Sequence, residues 1–291
     1  MSETTLAGRA LARAVGTVGV LRGATVSYGW EIRKLIAQWW IPTSIAVYLL
    51  APFAFAVALK VQDTVPSDTL FGRWVHESGF AASLVVLSFA GQWGFPLLVG
   101  LVAGDIFASE DRHGTWKTVL TRSTGRTSVL MGKSLAAATY AVVTVVSAGV
   151  GSLVSGVLLL GHQPLVSLSG TLIPSGRACE LLTLAWISVL PPVLGFTALG
   201  MLLSLLTRNS IAGAVGPAVV AGIMQVLSFV GGLDPVHHAL LTTAFDSWHG
   251  MFVDKPFYGP LLQGLLVCAV YIAVFMGLIH HVFRRRDFTE G

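Results

Sequence analysis

Four places in the sequence gather residue types that can do chemistry. Gly132-Lys133-Ser134 has the form of the end of a phosphate-binding loop, where a lysine and a hydroxyl reach nucleotide phosphates. Such a loop needs a glycine five positions before the last one, and Thr127 stands there. It must also follow a strand, and this stretch adjoins a long apolar run, so the chain is read as lacking an ATPase site of its own. His76-Glu77 opens like a zinc-protease HExxH helix, but Phe80 takes the place of the second histidine. His237, His238 and His249, with Asp234, Asp246 and Asp254, put metal-ligand side chains into one segment, although ordinary loop residues at an interface are the plainer reading. The fourth place is Asp105–Lys133, the most polar stretch between two apolar runs. Glu110, Asp111, Arg112, His113 and Lys117 alternate in charge there, while Trp116 and Leu120 offer an apolar wedge. A short solvated helix of this kind suits docking against another protein, and a connector without a partner is the alternative.

The elements around these residues are membrane spans. Apolar residues make up 54% of the 291 positions and charged residues 11%, with a mean hydropathy of +0.76. A soluble domain carries roughly a quarter charged residues, so this chain cannot cover a globular surface with water-compatible groups. Stretches free of Asp, Glu, Lys and Arg run over Trp39–Leu59, Gly79–Gly104, Ser134–Ser175, Leu181–Thr207, Asn209–Leu233 and Pro256–Phe283. Each reaches the roughly 20 residues a helix needs to cross the hydrocarbon layer. Helices satisfy their own backbone groups, as lipid requires. The third stretch is too long for one span, and Gly161-His162-Gln163-Pro164 places the end of its helix near Leu160.

Orientation follows from the basic residues. With the amino terminus in the cytoplasm, 14 of the 18 Lys and Arg fall on the cytoplasmic side, and only Lys60, Arg73, Arg177 and Lys255 fall outside. That asymmetry is the positive-inside pattern. It also accounts for the basic pI without a nucleic-acid partner. Arg9, Arg13 and Arg22 interrupt residues 1–24, and no signal peptide is expected. The excess of Arg over Lys, with abundant Ala, Gly and Val, fits a bacterial cytoplasmic membrane.

Residues 25–38 read as an interfacial helix, with Ile32, Leu35, Ile36 and Trp39 at helical spacing and Glu31, Arg33, Lys34 and Gln38 as its polar side. The expected organisation is a cytoplasmic amino-terminal segment over 1–38, a six-span domain over 39–283 and a cytoplasmic tail over 284–291. Gly100 and Gly104 suit close helix packing. Pro191-Pro192 predicts a kink in the fourth span. The half-apolar segment from Gly231 to Gly259 is expected on the outer side, partly re-entrant. Cys179 and Cys268 are expected as unpaired thiols, and His280-His281 as side chains reaching toward headgroups.

The Asp105–Lys133 loop resembles the first cytoplasmic loop of type-2 ABC-transporter permeases. That family has a Glu, three residues, Gly-Thr, an apolar pair, then a Ser-Arg or Gly-Arg and a Gly-Lys or Ala-Lys entering the next span. Here these are Glu110, Gly114-Thr115, Val119-Leu120, Gly125-Arg126 and Gly132-Lys133. The family usually has a proline shortly before the arginine, and Arg122-Ser123-Thr124 departs from that. The six-span layout, the interfacial helix and the long outer segment before the last span match as well, so the resemblance covers almost the whole chain.

The resemblance implies that the loop is a coupling helix for a separate ATP-binding subunit. Glu110, Asp111, Arg112, His113, Gly114, Thr115, Trp116, Lys117, Leu120 and Arg126 are the residues carried over. It implies a second permease copy or a sister permease as partner, with ATP and Mg bound on the partner subunit and no cofactor or metal in this chain. The expected function is that of the membrane subunit of an ABC exporter. Gln92, Gln225, Trp93, Trp186 and Tyr140 in an uncharged interior suit an amphipathic or hydrophobic cargo, and they suit ordinary packing equally. The rivals are an ion-coupled carrier and a non-transporting assembly subunit. The absence of charges near the middles of the spans argues against ion coupling, and no catalytic constellation converges to make an enzyme.

Overall fold

The computed structural model describes residues 3–61, 69–116, 125–232 and 234–286. Lys117, Val119, Leu120 and Arg122-Ser123-Thr124 of the expected coupling loop, and positions 287–291 of the tail, lie outside the described residues. Six helical spans are long and apolar enough to cross a membrane: Trp40–Val61, Gly79–His113, Arg126–Leu160, Ser175–Thr207, Ser210–Ser228 and Gly259–Arg285. Among the described residues the chain is all-α apart from one two-residue ribbon, β1 (Leu165–Val166) paired antiparallel with β2 (Leu172–Ile173).

A long helix, α1 (Glu3–Ala37), precedes the first span, α2 (Trp40–Val61). It is longer than the interfacial helix expected over 25–38, and its polar side differs from the expected one. Glu31 is buried together with Ala24 and Leu35, while Trp30, Ile36 and Trp39 are exposed. The reason is a buried lysine on the third span, which draws Glu31 inward.

The second span is built of α3 (Gly79–Phe89), a wide turn over Ala90–Gly94 and α4 (Phe95–His113). The wide π turn sits just before Pro96, whose ring and missing N–H disfavour a regular α turn there. The third span, α5 (Arg126–Ser155), runs through a second π turn to Leu160 and stops at Gly161, where the sequence places its end. The second and third spans have 35 residues each. At 1.5 Å per residue each is about 50 Å long, well beyond the ~30 Å hydrocarbon layer. Neither therefore fits within that layer along its whole length.

The fourth span breaks at Val189 between α6 (Ser175–Ser188) and α7 (Leu190–Thr207), with Pro191 and Pro192 opening the second half. Proline fits a first helical turn, where its absent N–H would have no partner anyway. This span is the most buried of the six and forms the centre of the bundle. Next to it lies α8 (Ser210–Ser228), the fifth span, whose cap Asn209 accepts the Ile211 N–H. On Gly100 and Gly104, a Cβ would meet the Ala214 carbonyl oxygen and amide nitrogen, each at 2.3 Å. The small pair is thus the contact that lets the second and fifth spans touch backbone to backbone.

A short helix, α9 (Asp234–His237), and a 3-10 run, Thr242–Met251, lead to the sixth span, α10 (Gly259–Arg285). The 3-10 run is half-apolar for a reason. Phe245, Trp248 and Met251 are buried, with Phe245 stacked on Phe196 and Trp248 on Phe71. Leu168 N–H bonds to the Phe252 carbonyl, and Thr171 donates to Asp254, so the ribbon and this segment form one cap at the end of the bundle away from the termini. Cys179 and Cys268 are both free.

Candidate functional site

The polar residues of the second–third span connection converge at the end of the bundle that carries α1. The last two turns of α4 bring Ser109, Glu110 and Asp111 below the membrane-length part of the second span. Gly114 ends the helix at φ 62°, and its N–H together with that of Thr115 closes onto the Asp111 and Glu110 carbonyls. Open space surrounds a Cβ built on Gly114. Backbone handedness, not crowding, is what calls for glycine here.

Glu110 is buried, and two ammonium groups reach it: Lys34 of α1 at 2.8 Å and Lys133 of α5 at 3.1 Å, both at Oε1. Thr115 donates its hydroxyl to the other oxygen. Lys133 has no exposed side-chain surface. It bonds Glu31 at 2.6 Å and donates to the Ile106 carbonyl at 2.9 Å. Lys34 also donates to Ser109 Oγ at 3.0 Å. Two carboxylates and two ammonium groups thus form one neutral cluster that joins α1, the end of the second span and the start of the third. Buried charge is tolerable only when it is paired and hydrogen-bonded in this way.

A second charge pair flanks the first. Asp111 Oδ1 accepts from Arg286 at 2.5 Å and from Trp116 Nε1 at 2.8 Å. Trp116 is buried between Phe107 and Phe283, with ring centroids 6.4 and 5.5 Å away. Lys133 Nζ stands 5.8 Å from the centroid of the same ring. Arg126 donates to the carbonyls of Arg284 and Arg286, which holds the foot of the third span to the foot of the sixth. Arg112 pairs with Asp105 at 2.7 Å, and Ser210 also donates to that carboxylate. His113 reaches the Ser109 carbonyl through Nδ1.

The structure thus corrects the expected solvated helix. Glu110, Asp111 and Trp116 face inward and are used up in holding the chain's own elements together. Arg112, His113, Gly114 and Arg126 are the residues of the set that remain exposed, and Thr115 is half-buried. The sequence reading missed Glu31, Lys34, Lys133 and Arg286 as members of the cluster. A signal existed: Lys133 is a lone charge between the uncharged residues 127–132 and the apolar run that opens at Ser134, and such a charge needs a partner. The i, i+3 pair Glu31 and Lys34 supplies one carboxylate and one ammonium group from the same helix face.

The other candidates do not converge. Tyr140 bonds Ser44 and packs at the termini end, Trp186 packs at the opposite end, and Trp93 is exposed. Among the described residues, no group of three His, Cys, Asp or Glu side chains stands close enough to hold a metal ion. Within the far-end cap, Asp246 is hydrogen-bonded to Gln92, and burial pushes its carboxyl up to about 6. Burial also lowers the His249 imidazole to about 4.

Residues 70–289 match the family described as "Protein of unknown function (DUF2705)". The chain is also 24% identical over 251 residues to the uncharacterized protein YhcI of Bacillus subtilis (strain 168), across 79% of this chain and 74% of that protein. Neither description names an activity.

Proposed function

The chain belongs to the DUF2705 family, and we propose that it is the membrane-spanning permease subunit of an ATP-driven ABC exporter in the bacterial cytoplasmic membrane. A separate ATP-binding subunit energises it, with ATP and Mg held there. A second permease, identical or a sister chain, completes the path for an amphipathic or hydrophobic cargo. Both termini are cytoplasmic, as the distribution of Lys and Arg favours, and the Thr242–Met251 segment dips partly into the outer leaflet.

The observation that carries this reading is the Glu110–Lys133 connection. Its spacing resembles the permease coupling loop, and its buried charges tie a projecting turn to three helices. A push on the exposed Arg112–Gly114 turn is transmitted to the second span through continuous helix. Through Glu110 it reaches the third span and α1. A flexible connector would absorb the same push. The Arg112 and His113 side chains form the docking edge, and Trp116 acts from inside as the packing block behind it.

Co-purification tests this reading. The detergent-solubilised chain is expected to retain the ATP-binding subunit encoded beside it, and an Arg112→Glu, His113→Glu variant is expected to lose that subunit while keeping its own gel-filtration profile. Recovery of no ATP-binding subunit by the unaltered chain contradicts the proposal, and the carrier or assembly reading would then take its place.

A further inference from the structure

A cavity of about 490 Å³ lies between the third, fourth and sixth spans. Its volume is that of an ordinary small-molecule pocket. Met131, Met201 and Met276 line it, which is half of the six methionines in the chain. Methionine is unbranched and polarisable, and it lines surfaces that must fit apolar ligands of variable shape. The cavity is open at the side, since Leu135 on its wall is half exposed. It is a lateral groove facing the space where lipid would lie, not an enclosed void.

Its two ends differ in chemistry. Thr127 and His280 mark the end nearest the termini. Arg126 precedes Thr127 directly and is exposed, and its guanidinium donates to the backbone carbonyl of Arg284, one helical turn beyond His280, so a guanidinium and an imidazole stand at that mouth. Further in, Ser134 also lines the groove. Its hydroxyl is buried and has no hydrogen-bond partner, whereas Thr139 and Thr144 on the same helix bond back to the carbonyl four residues earlier. Deeper still, the wall is aliphatic and methionine-rich.

We infer that this groove binds one acyl chain of an anionic glycerophospholipid from the leaflet on the side of the termini. The phosphate lies at the Arg126–His280 mouth, the Ser134 hydroxyl donates to a chain ester carbonyl, and the tail lies along Met131, Met201 and Met276. Basic residues at a membrane edge attract anionic headgroups. A buried hydroxyl gains from a carbonyl acceptor that hydrocarbon alone cannot give. The inference stands apart from the coupling role, because Met131, Ser134, Met201, Met276 and His280 are not among the residues carried over for it and need no ATP-binding subunit.

The test is photolabelling in vesicles with phosphatidylglycerol that carries a diazirine in one acyl chain, read by peptide mass spectrometry. Adducts are expected to concentrate in the 127–138 and 272–280 peptides, above those on the exposed Ile223 and Val226 face of the fifth span. Unlabelled phosphatidylglycerol is expected to compete, and phosphatidylcholine is not. Ala138→Trp, which fills the groove, is expected to lose these adducts, with Ala138→Leu as the milder filler if the tryptophan variant fails to fold. Equal labelling of both faces, labelling unchanged by filling, or equal competition by phosphatidylcholine overturns the inference. So does self-crosslinking of Met276→Cys without lipid adducts, which would assign the groove to a second copy.

Discussion

Lys133 and Arg112 are both basic residues on the connection between the second and third spans, and the structure gives them opposite weights. Lys133 is wholly buried between Glu31 and Glu110, while Arg112 is 58% exposed beside Asp105. Removing one partner of a buried pair costs about 3–5 kcal/mol, whereas exposed pairs contribute about 0–1 kcal/mol. Lys133→Ala is therefore expected to lower the denaturant midpoint in detergent strongly, and Arg112→Ala to leave it nearly unchanged. Equal losses would contradict the burial argument. The pH response belongs to the same scale. Asp246 is raised to about 6 by burial, so the folded state holds its proton longer and stability falls as pH rises between about 4 and 6. His249 is lowered to about 4 by burial, so the folded state binds fewer protons and stability rises with pH over nearly the same window. The two slopes oppose each other. Relative to the unaltered chain, Asp246→Asn is expected to make unfolding more acid-sensitive between about pH 4 and 6, and His249→Gln to make it less so. Unfolding curves across that range read the difference.

At the scale of elements, much was legible because lipid imposes strict rules. A run of about 20 uncharged residues has few alternatives to a spanning helix, and all six runs became spans. The end at Leu160 and the break before Pro191 followed from local backbone chemistry. The role of Gly100 and Gly104 needed the structure, because the sequence does not say which helix comes close. With Ala214 backbone atoms 2.3 Å from a Cβ on either glycine, Gly100→Val is expected to separate the second and fifth spans and reduce folded yield by gel filtration. Gly222→Ala, which meets nothing within 4 Å on the same fifth span, is expected to be neutral or slightly stabilising. The length of α1 and the inward turn of Glu31 were not legible. Charge periodicity marks a polar face, and only the position of Lys133 on a distant helix shows that this face is buried.

At the scale of the whole molecule, the two ends do different work. The end away from the termini is a cap of ribbon, 3-10 run and stacked aromatics, built by apolar residues that the sequence displays openly. The other end is held by charges, and its organisation was half legible. The spacing from Glu110 to Lys133 drew attention to the connection where the buried charges gather, yet it could not say which of those side chains face out. Burial of Glu110 and Trp116, with Asp111 half-buried on Arg286, moves the proposed docking edge to Arg112 and His113, at the tip of a 35-residue span. The most direct test of that edge places a photoreactive amino acid at Arg112, or at Leu172 on the opposite end, and illuminates membranes that also carry the proposed ATP-binding subunit. The account predicts a crosslinked band of the summed mass from position 112 and none from 172. No adduct from 112, or equal adducts from both positions, would contradict it.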